Sequence, residues 1–298
     1  MPFHSGEIEV QEQVGVREEA QRLTSGIHSV IQPKAQEFLR KQQLAAVSTV
    51  DASGKVWASL LIGKPGFVTV LNQQTVQINP TSLANDLLYN NLQTNPQIGI
   101  LIIDLTNRRR LRLNGIAKIQ QQNTINLEIQ EAFFNCPKYI QVRHLETSET
   151  ESSNQSQTLT KNTLSNFDKS WISQADTFFI ASYHPQIGAD ASHRGGNPGF
   201  VRVENDNKLK FPDYVGNNMF QTFGNFVINP NAGILFVDFE NGHTLQLTGK
   251  AKVIWDADNI SEIPGAKRLV EFDIEEIVET RNATNWCWKF GEYSPFNP

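Results

Sequence analysis

The sequence contains two copies of one pattern, and this duplication constrains the fold more than any other feature. The segment PGFV at residues 65–68 recurs at residues 198–201, an offset of 133 residues. The segment NPQIGIL at residues 95–101 recurs as NPNAGIL at residues 229–235, an offset of 134 residues. One inserted residue explains the change of offset, and matches at a nearly fixed spacing indicate a duplicated structural unit. We therefore expect two related halves.

Each half has the pattern of short strands. Residues 45–62 contain two apolar, β-rich runs separated by the turn sequence DASG, as in a hairpin. Residues 97–105 and 111–119 are longer strand candidates, whereas the spacing of apolar residues predicts a helix over 83–92. The sequence thus predicts a mainly β fold with some α-helix, built twice.

A polar stretch separates the two copies. Residues 145–165 include LETSET and SSNQSQ, which are poor in aromatic and core-forming residues. Such composition is typical of a linker or mobile loop. We place the first domain, with an N-terminal arm, at residues 1–144, the linker at 145–165 and the second domain at 166–298.

Composition and charge exclude several classes of protein. The chain of 298 residues has 26 basic and 31 acidic residues, a net charge of −5, which gives no electrostatic footprint for nucleic acid or an anionic membrane. No apolar run is long enough to span a bilayer, and the N-terminus lacks the pattern of a signal peptide. Cys136 and Cys287 lie far apart and form no metal-ligand pattern. We therefore expect a cytoplasmic protein with free thiols and no metal site.

Two donor-rich blocks in the second half indicate a site for an oxyanion. The first block, ADASHRGGNPGFV at residues 189–201, offers a Ser, a His, an Arg and backbone N–H groups beside two Gly, all at one point. The second block, PDYVGNNMFQTFGN at residues 212–225, places Gly-Asn-Asn before a helical pattern, where free N–H groups favour an anion. We predict a clamp on a phosphate group. The alternative is a pair of Gly/Asn loops between strands.

The repeat distinguishes these alternatives. The second half has SHRG at residues 192–195, where the first half has SLLI at residues 59–62. The second half has GNN at residues 216–218, where the first half has LAN at residues 83–85. Most donors are therefore present in one copy only, with Ser59 and Asn85 as the exceptions. This asymmetry favours a ligand-binding role and predicts one phosphate site per chain, lined by second-half residues.

The same segments resemble a known family. Residues 189–201, 212–225 and 229–236, with FHSGE at residues 3–7 and NCPKYIQ at residues 135–141, are similar to the pyridoxamine 5'-phosphate oxidase-like proteins. These are FMN-binding split barrels, and the chain resembles most a bacterial branch with two modules in one chain. The resemblance implies two tandem split β-barrels packed as an internal pseudo-dimer, with FMN between them.

The resemblance also implies roles for individual residues. One-module relatives often carry a basic residue near Met219, and its absence here leaves Arg194 as the main charged phosphate ligand. Lys138 and Tyr139 would cover the cofactor from the first half, or else form a packing corner. The run Arg108 to Arg110 is interpreted as a solvated turn, with a phosphate contact from the other half as the alternative. The expected cofactor-binding residues are Ser192, Arg194, Asn218 and Thr222 at the phosphate, His193 and Asn217 at the ribityl chain or phosphate, Gln246 at the ring, and Gly195 and Met219 alongside them.

The function that this resemblance implies is FMN binding with oxidation or reduction of a small molecule, although no catalytic acid or base is identified. The alternative is a non-catalytic flavin or haem carrier, or an electron-transfer partner of a reductase. A third reading, a structural protein without a ligand, does not explain the asymmetry between the halves. The expected partners are a small-molecule substrate or a redox protein, and a homodimer of whole chains is left open.

Overall fold

The structure is a computed structural model that describes residues 3–81, 86–147, 156–255, 260 and 263–298. The helices of these residues are α1 (Ser5–Val14), α2 (Arg17–Arg22), α3 (Pro33–Leu39), α4 (Leu88–Thr94), α5 (Asn166–Gln174) and α6 (Gln221–Ile228). The first-half strands are β1 (Leu44–Val50), β2 (Val56–Ile62), β3 (Val68–Asn72), β4 (Thr75–Ile78), β5 (Gln97–Asp104), β6 (Arg109–Ile119), β7 (Ile125–Asn135) and β8 (Val142–Thr147). The second-half strands are β9 (Gln157–Lys161), β10 (Thr177–His184), β11 (Gly188–Gly195), β12 (Arg202–Asn205), β13 (Lys208–Asp213), β14 (Asn231–Asp238), β15 (His243–Ile254), β16 (Arg268–Arg281) and β17 (Trp286–Glu292). The predicted mainly β fold is confirmed.

The two halves build sheets of the same topology. The first sheet has the strand order β2-β1-β5-β6-β7-β4-β3, and the second has the order β11-β10-β14-β15-β16-β13-β12. Each strand of the second sheet is the repeat counterpart of the strand in the same place of the first. The second sheet has one addition, because β9 pairs with β16. The structure therefore confirms the duplication that the sequence predicts.

The duplication extends to irregularities of the strands. The pairing of β6 with β7 shifts register next to Gly115, and the pairing of β15 with β16 shifts next to Gly249, its repeat counterpart. A Cβ atom at Gly115 would collide with the carbonyl oxygen of Glu128, and one at Gly249 with that of Asp273. Both positions require Gly because the bulge brings two backbones together.

The halves pack against each other through a reciprocal contact. A Cβ atom at Gly99 of β5 would lie 2.5 Å from the carbonyl oxygen of Ala189 on β11. A Cβ atom at Gly233 of β14 would lie 2.7 Å from the carbonyl oxygen of Val56 on β2. Each half has its own hydrophobic core, and a third cluster with residues such as Leu60 of β2 and Phe179 of β10 joins them. The chain is thus an internal pseudo-dimer.

Both ends of the chain cross to the opposite half. Helix α1 packs on α6, where the Gln11 side chain donates a 2.9 Å hydrogen bond to the carbonyl oxygen of Met219. The His4 ring and the Asn225 side chain are joined by a 3.0 Å hydrogen bond. At the other end, β17 pairs with β8 of the first half. Because each half packs a terminal segment on the other, the contacts do not mark a boundary between two separate domains. The division of the chain at 145–165 therefore remains a prediction.

Two predicted elements differ from the structure. The predicted linker 145–165 contains the end of β8 and all of β9, while residues 148–155 lie outside the described residues. Strand β9 is polar because it adds to the edge of a sheet by backbone hydrogen bonds, which need no core-forming side chains. Of the helix predicted over 83–92, the structure has α4 beginning at Leu88, and residues 82–85 lie outside the described residues.

A buried acid in α1 makes the attachment of this helix sensitive to pH. Glu7 is only 5% exposed, and burial raises the pKa of its carboxyl from 4.5 to about 8. Between these values the unfolded chain is ionised at Glu7 while the folded chain keeps the proton, so stability falls as pH rises. We predict that Glu7→Gln raises the melting temperature at pH 8 and changes it little at pH 5. Glu9→Gln, on the exposed side of the same helix, is the control, and an equal gain at both pH values for Glu7→Gln would contradict the argument.

Candidate functional site

The two donor-rich blocks of the second half line one cleft, and the first half supplies its opposite wall. The strand β11 and the segment that leads into α6 form one side. The other side comes from β6, from the end of β7 and from the residues that follow β7. The second-half lining residues that the sequence predicts are Ser192, His193, Arg194, Gly195, Asn217, Asn218 and Thr222, and those of the first half are Lys138 and Tyr139. The structure therefore brings most of the predicted site residues together.

Successive side chains of β11 point to opposite faces of its sheet. Ser192 and Arg194 therefore share one side, and His193 lies on the other. His193 is 4% exposed, and its ring meets Phe179 of β10 edge-on at 5.8 Å. At Gly195 a Cβ atom would collide with the carbonyl oxygen of Tyr139, so this Gly allows the first half to approach the cleft.

The backbone beside the cleft is held in unusual conformations. Tyr139, Asn218 and Phe220 have φ values of 67°, 60° and 60°, in the left-handed region that residues other than Gly rarely adopt. Conformations of this kind cluster at functional sites, although four further non-Gly residues among those described adopt them outside the cleft. The side chain of Asn217 supports the segment, accepting from the N–H of Met219 at 3.2 Å and donating to Asn135 at 3.2 Å.

The start of α6 adds backbone donors. The helix begins at Gln221, two residues later than the Met219 at which the helical pattern of the sequence begins, because Phe220 is left-handed. The first N–H groups of a helix have no partner within the helix. Gln221, Thr222 and Phe223 all line the cleft. The first turn of α6 therefore offers N–H groups and its positive dipole end to a ligand there.

Three arginines converge on the cleft. Arg194 pairs with Asp213 at 2.7 Å, and Asp213 in turn accepts from Arg268 at 2.9 Å. Arg112 donates to the hydroxyl of Ser192 at 2.8 Å and pairs with Asp190 at 3.0 Å. Arg110 donates to the Nδ1 atom of His193 at 3.1 Å and, within the described ranges, has no carboxylate partner.

Burial affects how two of these groups titrate. Burial, with the charges of Arg112 and Arg194 close by, lowers the pKa of Arg110 to about 9. Burial and neighbouring arginines also hold the pKa of His193 well below its usual range, so its ring is neutral at pH 7. Since a guanidinium only donates, Nδ1 of His193 is the acceptor and Nε2 carries the proton. His193 therefore has one ring N–H donor, at Nε2.

Several of the buried donors at the cleft have no partner. These unpartnered atoms are Nε of Arg110, Nε of Arg112, Nε of Arg194, Nε2 of His193 and Nδ2 of Asn135. Leaving a buried donor unpaired costs about 1–3 kcal/mol, and more for a charged group. Five such atoms in one cleft are best satisfied by a ligand rich in acceptors, such as a phosphate group.

Two predicted site residues lie elsewhere. Met219 is 6% exposed and packs in a small cluster with Phe3 and Phe133. Gln246 donates to the carbonyl oxygen of Ala58 at 2.9 Å and to the Ser59 hydroxyl at 3.2 Å. Gln246 therefore faces β2 of the first half, away from the cleft.

The pseudo-dimer explains the position of Gln246. Each half presents this strand position to the other half, so Gln246 meets Ser59 while its repeat counterpart Arg112 meets Ser192. Sequence reasoning missed Arg112 for this reason and favoured a solvated turn for Arg110. Arg112 would have been found by pairing each β11 residue with the first-half strand, instead of with the strand of its own half. Arg108 does lie outside the cleft, where it pairs with Glu292 at 2.8 Å.

The equivalent position in the first half is apolar. Leu60, Leu61 and Ile62 are at most 3% exposed and belong to hydrophobic clusters. The first-half residues 83–85 lie outside the described residues. The described part of this position therefore has none of the charged donors that line the cleft of the second half.

The cleft has a small interior and an aromatic rim. Its space is about 100 Å³, which suits a phosphate group and is less than the roughly 300–1,000 Å³ of a complete ligand pocket. At the rim, the rings of Tyr139 and Tyr214 lie 5.1 Å apart, and Lys138 lies 5.6 Å from the Phe296 ring. The described residues contain no group of His, Cys, Asp or Glu side chains suited to a metal ion. None of the described helices has the length and apolar character to cross a bilayer.

Several solved structures are similar to part of this chain. No curated protein matches the sequence. HupZ of Group A Streptococcus is 15% identical, covering 38% of this chain and 90% of its own, with a TM-score of 0.32. A putative pyridoxamine 5'-phosphate oxidase of Lactobacillus delbrueckii is 13% identical over 39% and 94%, with a TM-score of 0.34. HutZ, the haem storage protein of Vibrio cholerae, is 19% identical over 34% and 89%, with a TM-score of 0.25.

The family model gives the stronger result. The model described as pyridoxamine 5'-phosphate oxidase matches residues 31–133 and again residues 167–281. These two segments together cover most of the chain and correspond to the two sheets of the fold. The chain therefore belongs to the pyridoxamine 5'-phosphate oxidase family and carries two of its split-barrel modules in tandem.

Proposed function

We propose that the protein binds one FMN per chain in the cleft and uses it to oxidise or reduce a small molecule. The observation that carries this proposal is the set of unpartnered donors on Arg110, Arg112, Arg194, His193 and Asn135. A phosphate has oxygen acceptors in several directions and about two negative charges at neutral pH, so it matches this set.

The balance of charge supports the phosphate. Arg112 pairs with Asp190, and Arg194 pairs with Asp213, which it shares with Arg268, whereas Arg110 has no acidic partner among the described residues. A buried cation without a counterion is costly, and its lowered pKa of about 9 reflects that cost. An anion beside Arg110 would remove the imbalance.

The aromatic rim supports a flat ring outside the phosphate pocket. The rings of Tyr139 and Tyr214 both line the cleft and are partly exposed. Burial and the neighbouring Tyr139 raise the pKa of Tyr214 to about 12, so its hydroxyl remains a donor at neutral pH. When bound, a flavin supplies the electron and hydride chemistry, and the protein supplies binding and orientation. We assign the phosphate to the arginines and the ring to this rim.

The first prediction is the ratio of flavin to protein. Purified protein reconstituted with FMN and freed of excess should release one FMN per chain on denaturation. A second FMN at the first-half position would have to place its phosphate against Leu60, Leu61 and Ile62, where a buried charge lacks donors. A visible flavin band that bleaches anaerobically with a reductant would support the redox role. A ratio near two would contradict the one-site proposal, and no retained flavin would contradict the function.

Two adjacent arginines allow a matched test of the phosphate site. Arg110 lines the cleft, whereas Arg109 lies over the rings of Phe38 and Phe134 at 5.0 and 5.3 Å. We expect Arg110→Met to weaken FMN binding about ten- to a hundred-fold, since a charge-assisted hydrogen bond contributes about 1.5–3 kcal/mol. Arg109→Met should bind FMN as the unaltered chain does. Fluorescence titration measures both, and equal affinities for the two variants would remove Arg110 from the site.

The pH dependence of binding provides a third test. Because the pKa of Arg110 is lowered to about 9, its charge is lost as pH rises through that value. The affinity for FMN should therefore fall between pH 8 and pH 10. Riboflavin, which lacks the phosphate, should show no such fall beyond any effect common to both flavins. The Arg110→Met variant should lose the difference between the two ligands. Parallel profiles for FMN and riboflavin in the unaltered chain would speak against a phosphate contact with Arg110.

A further inference from the structure

A second cavity, lined by residues that the flavin cleft does not use, has the features of a separate ligand site. It lies between α5, the turn that follows β14, and the two-stranded ribbon of β8 and β17. Its space of about 440 Å³ falls within the roughly 300–1,000 Å³ of small-molecule pockets. We call it the aromatic cavity.

Aromatic side chains form two walls of this cavity. On α5, the rings of Phe167 and Trp171 lie 6.2 Å apart. The second wall comes from Phe239 and Trp288, whose rings meet edge-on at 5.7 Å. Phe167 is 51% exposed, so its ring is open to a ligand. Walls of this kind favour a ligand with a flat aromatic ring.

Polar groups without hydrogen-bond partners also line the cavity. Arg143 is 8% exposed, and its Nη2 atom donates to both carboxylate oxygens of Asp176 at 2.6 and 2.8 Å. The Nη1 atom of Arg143 has no partner. Thr177 is 3% exposed, and its hydroxyl has no partner either. Two unsatisfied donors on buried side chains of one cavity require an acceptor.

The charges of the cavity determine which acceptor fits. Asp176 already neutralises Arg143, and Asp238 and Glu240 on the turn also line the cavity. A carboxylate ligand would meet these acidic groups without a free cation to balance it. A neutral carbonyl oxygen accepts hydrogen bonds without that repulsion.

From the walls and the donors together, we propose that the aromatic cavity binds a small neutral aromatic carboxamide. Its carbonyl oxygen accepts hydrogen bonds from Nη1 of Arg143 and from the hydroxyl of Thr177. Its ring packs against Trp171. This site does not depend on the flavin proposal, because the two cavities have no lining residue in common.

The proposal is tested with benzamide as the probe. Calorimetric titration of the full chain should give saturable binding at one site. Benzoate, which carries a charge, and cyclohexanecarboxamide, which lacks the flat ring, should each bind at least tenfold more weakly. Absence of saturable benzamide binding, or equal affinities for the three compounds, would overturn the proposal.

Variants locate the probe. Thr177→Val removes the hydroxyl and keeps the β-branched shape, and the loss of one hydrogen bond should weaken benzamide binding about fivefold. Thr244→Val is the control, because Thr244 is buried in β15 and does not line the cavity. Trp171→Leu removes one aromatic wall and should weaken binding about threefold to tenfold. If Thr177→Val fails to fold, Trp171→Leu still decides the question. Unchanged affinity in every folded variant of the two would place benzamide elsewhere and contradict the proposal.

Discussion

The close packing of one half on the other is the constraint on which the rest of the structure depends. Gly99 and Gly233, at equivalent positions of the two repeats, let the backbone of one sheet touch the backbone of the other. Any larger residue there would separate the sheets and open the apolar cluster between them, which includes Leu60 and Phe179. Because interiors are packed to high density, such a separation is not taken up elsewhere. The same approach brings Arg110 and Arg112 to the strand that carries Ser192 and His193. The cleft therefore exists only in the assembled pair.

The pair has allowed its two equivalent positions to diverge. In the second-half cleft, first-half arginines meet the Ser-His-Arg segment of β11, and their charges are balanced only in part by Asp190 and Asp213. At the mate position, leucines and an isoleucine fill the space, and Gln246 uses its amide to join the two halves. The first-half position adds apolar side chains to the shared core. The second-half position instead holds polar side chains, several of which lack hydrogen-bond partners. This division agrees with a general pattern, in which local rules of stability are broken at sites of function.

The sequence predicted those features that rest on local or repeated patterns. The duplication and the mainly β class follow from patterns that occur twice in the sequence. The gathering of Ser192 to Gly195 with Asn217 and Asn218 follows from two short donor-rich segments. The sequence did not predict that Gln246 lies outside the cleft, because a side chain's partner across an interface is set by the symmetry of the pair. Strand β9 was missed because its pairing depends on backbone groups, which composition does not report. The sequence left the role of Arg110 open and missed Arg143 for a different reason, since the importance of both lies in which atoms lack partners.

The contact of α1 with α6 affects how the protein is made. The Gln11 side chain bonds to Met219, a residue 208 positions later. A ribosome extends the chain from the N-terminus at about 5–20 residues per second, so α1 has left the ribosome well before the helix on which it packs has been made. During that interval Val10, which is buried in the finished structure and belongs to the hydrophobic cluster of the second half, lacks the surface that covers it. Contacts of such long sequence separation also form slowly. The segment that leads into α6, and with it the second-half side of the cleft, therefore packs on α1 only after residues of both halves have been synthesised.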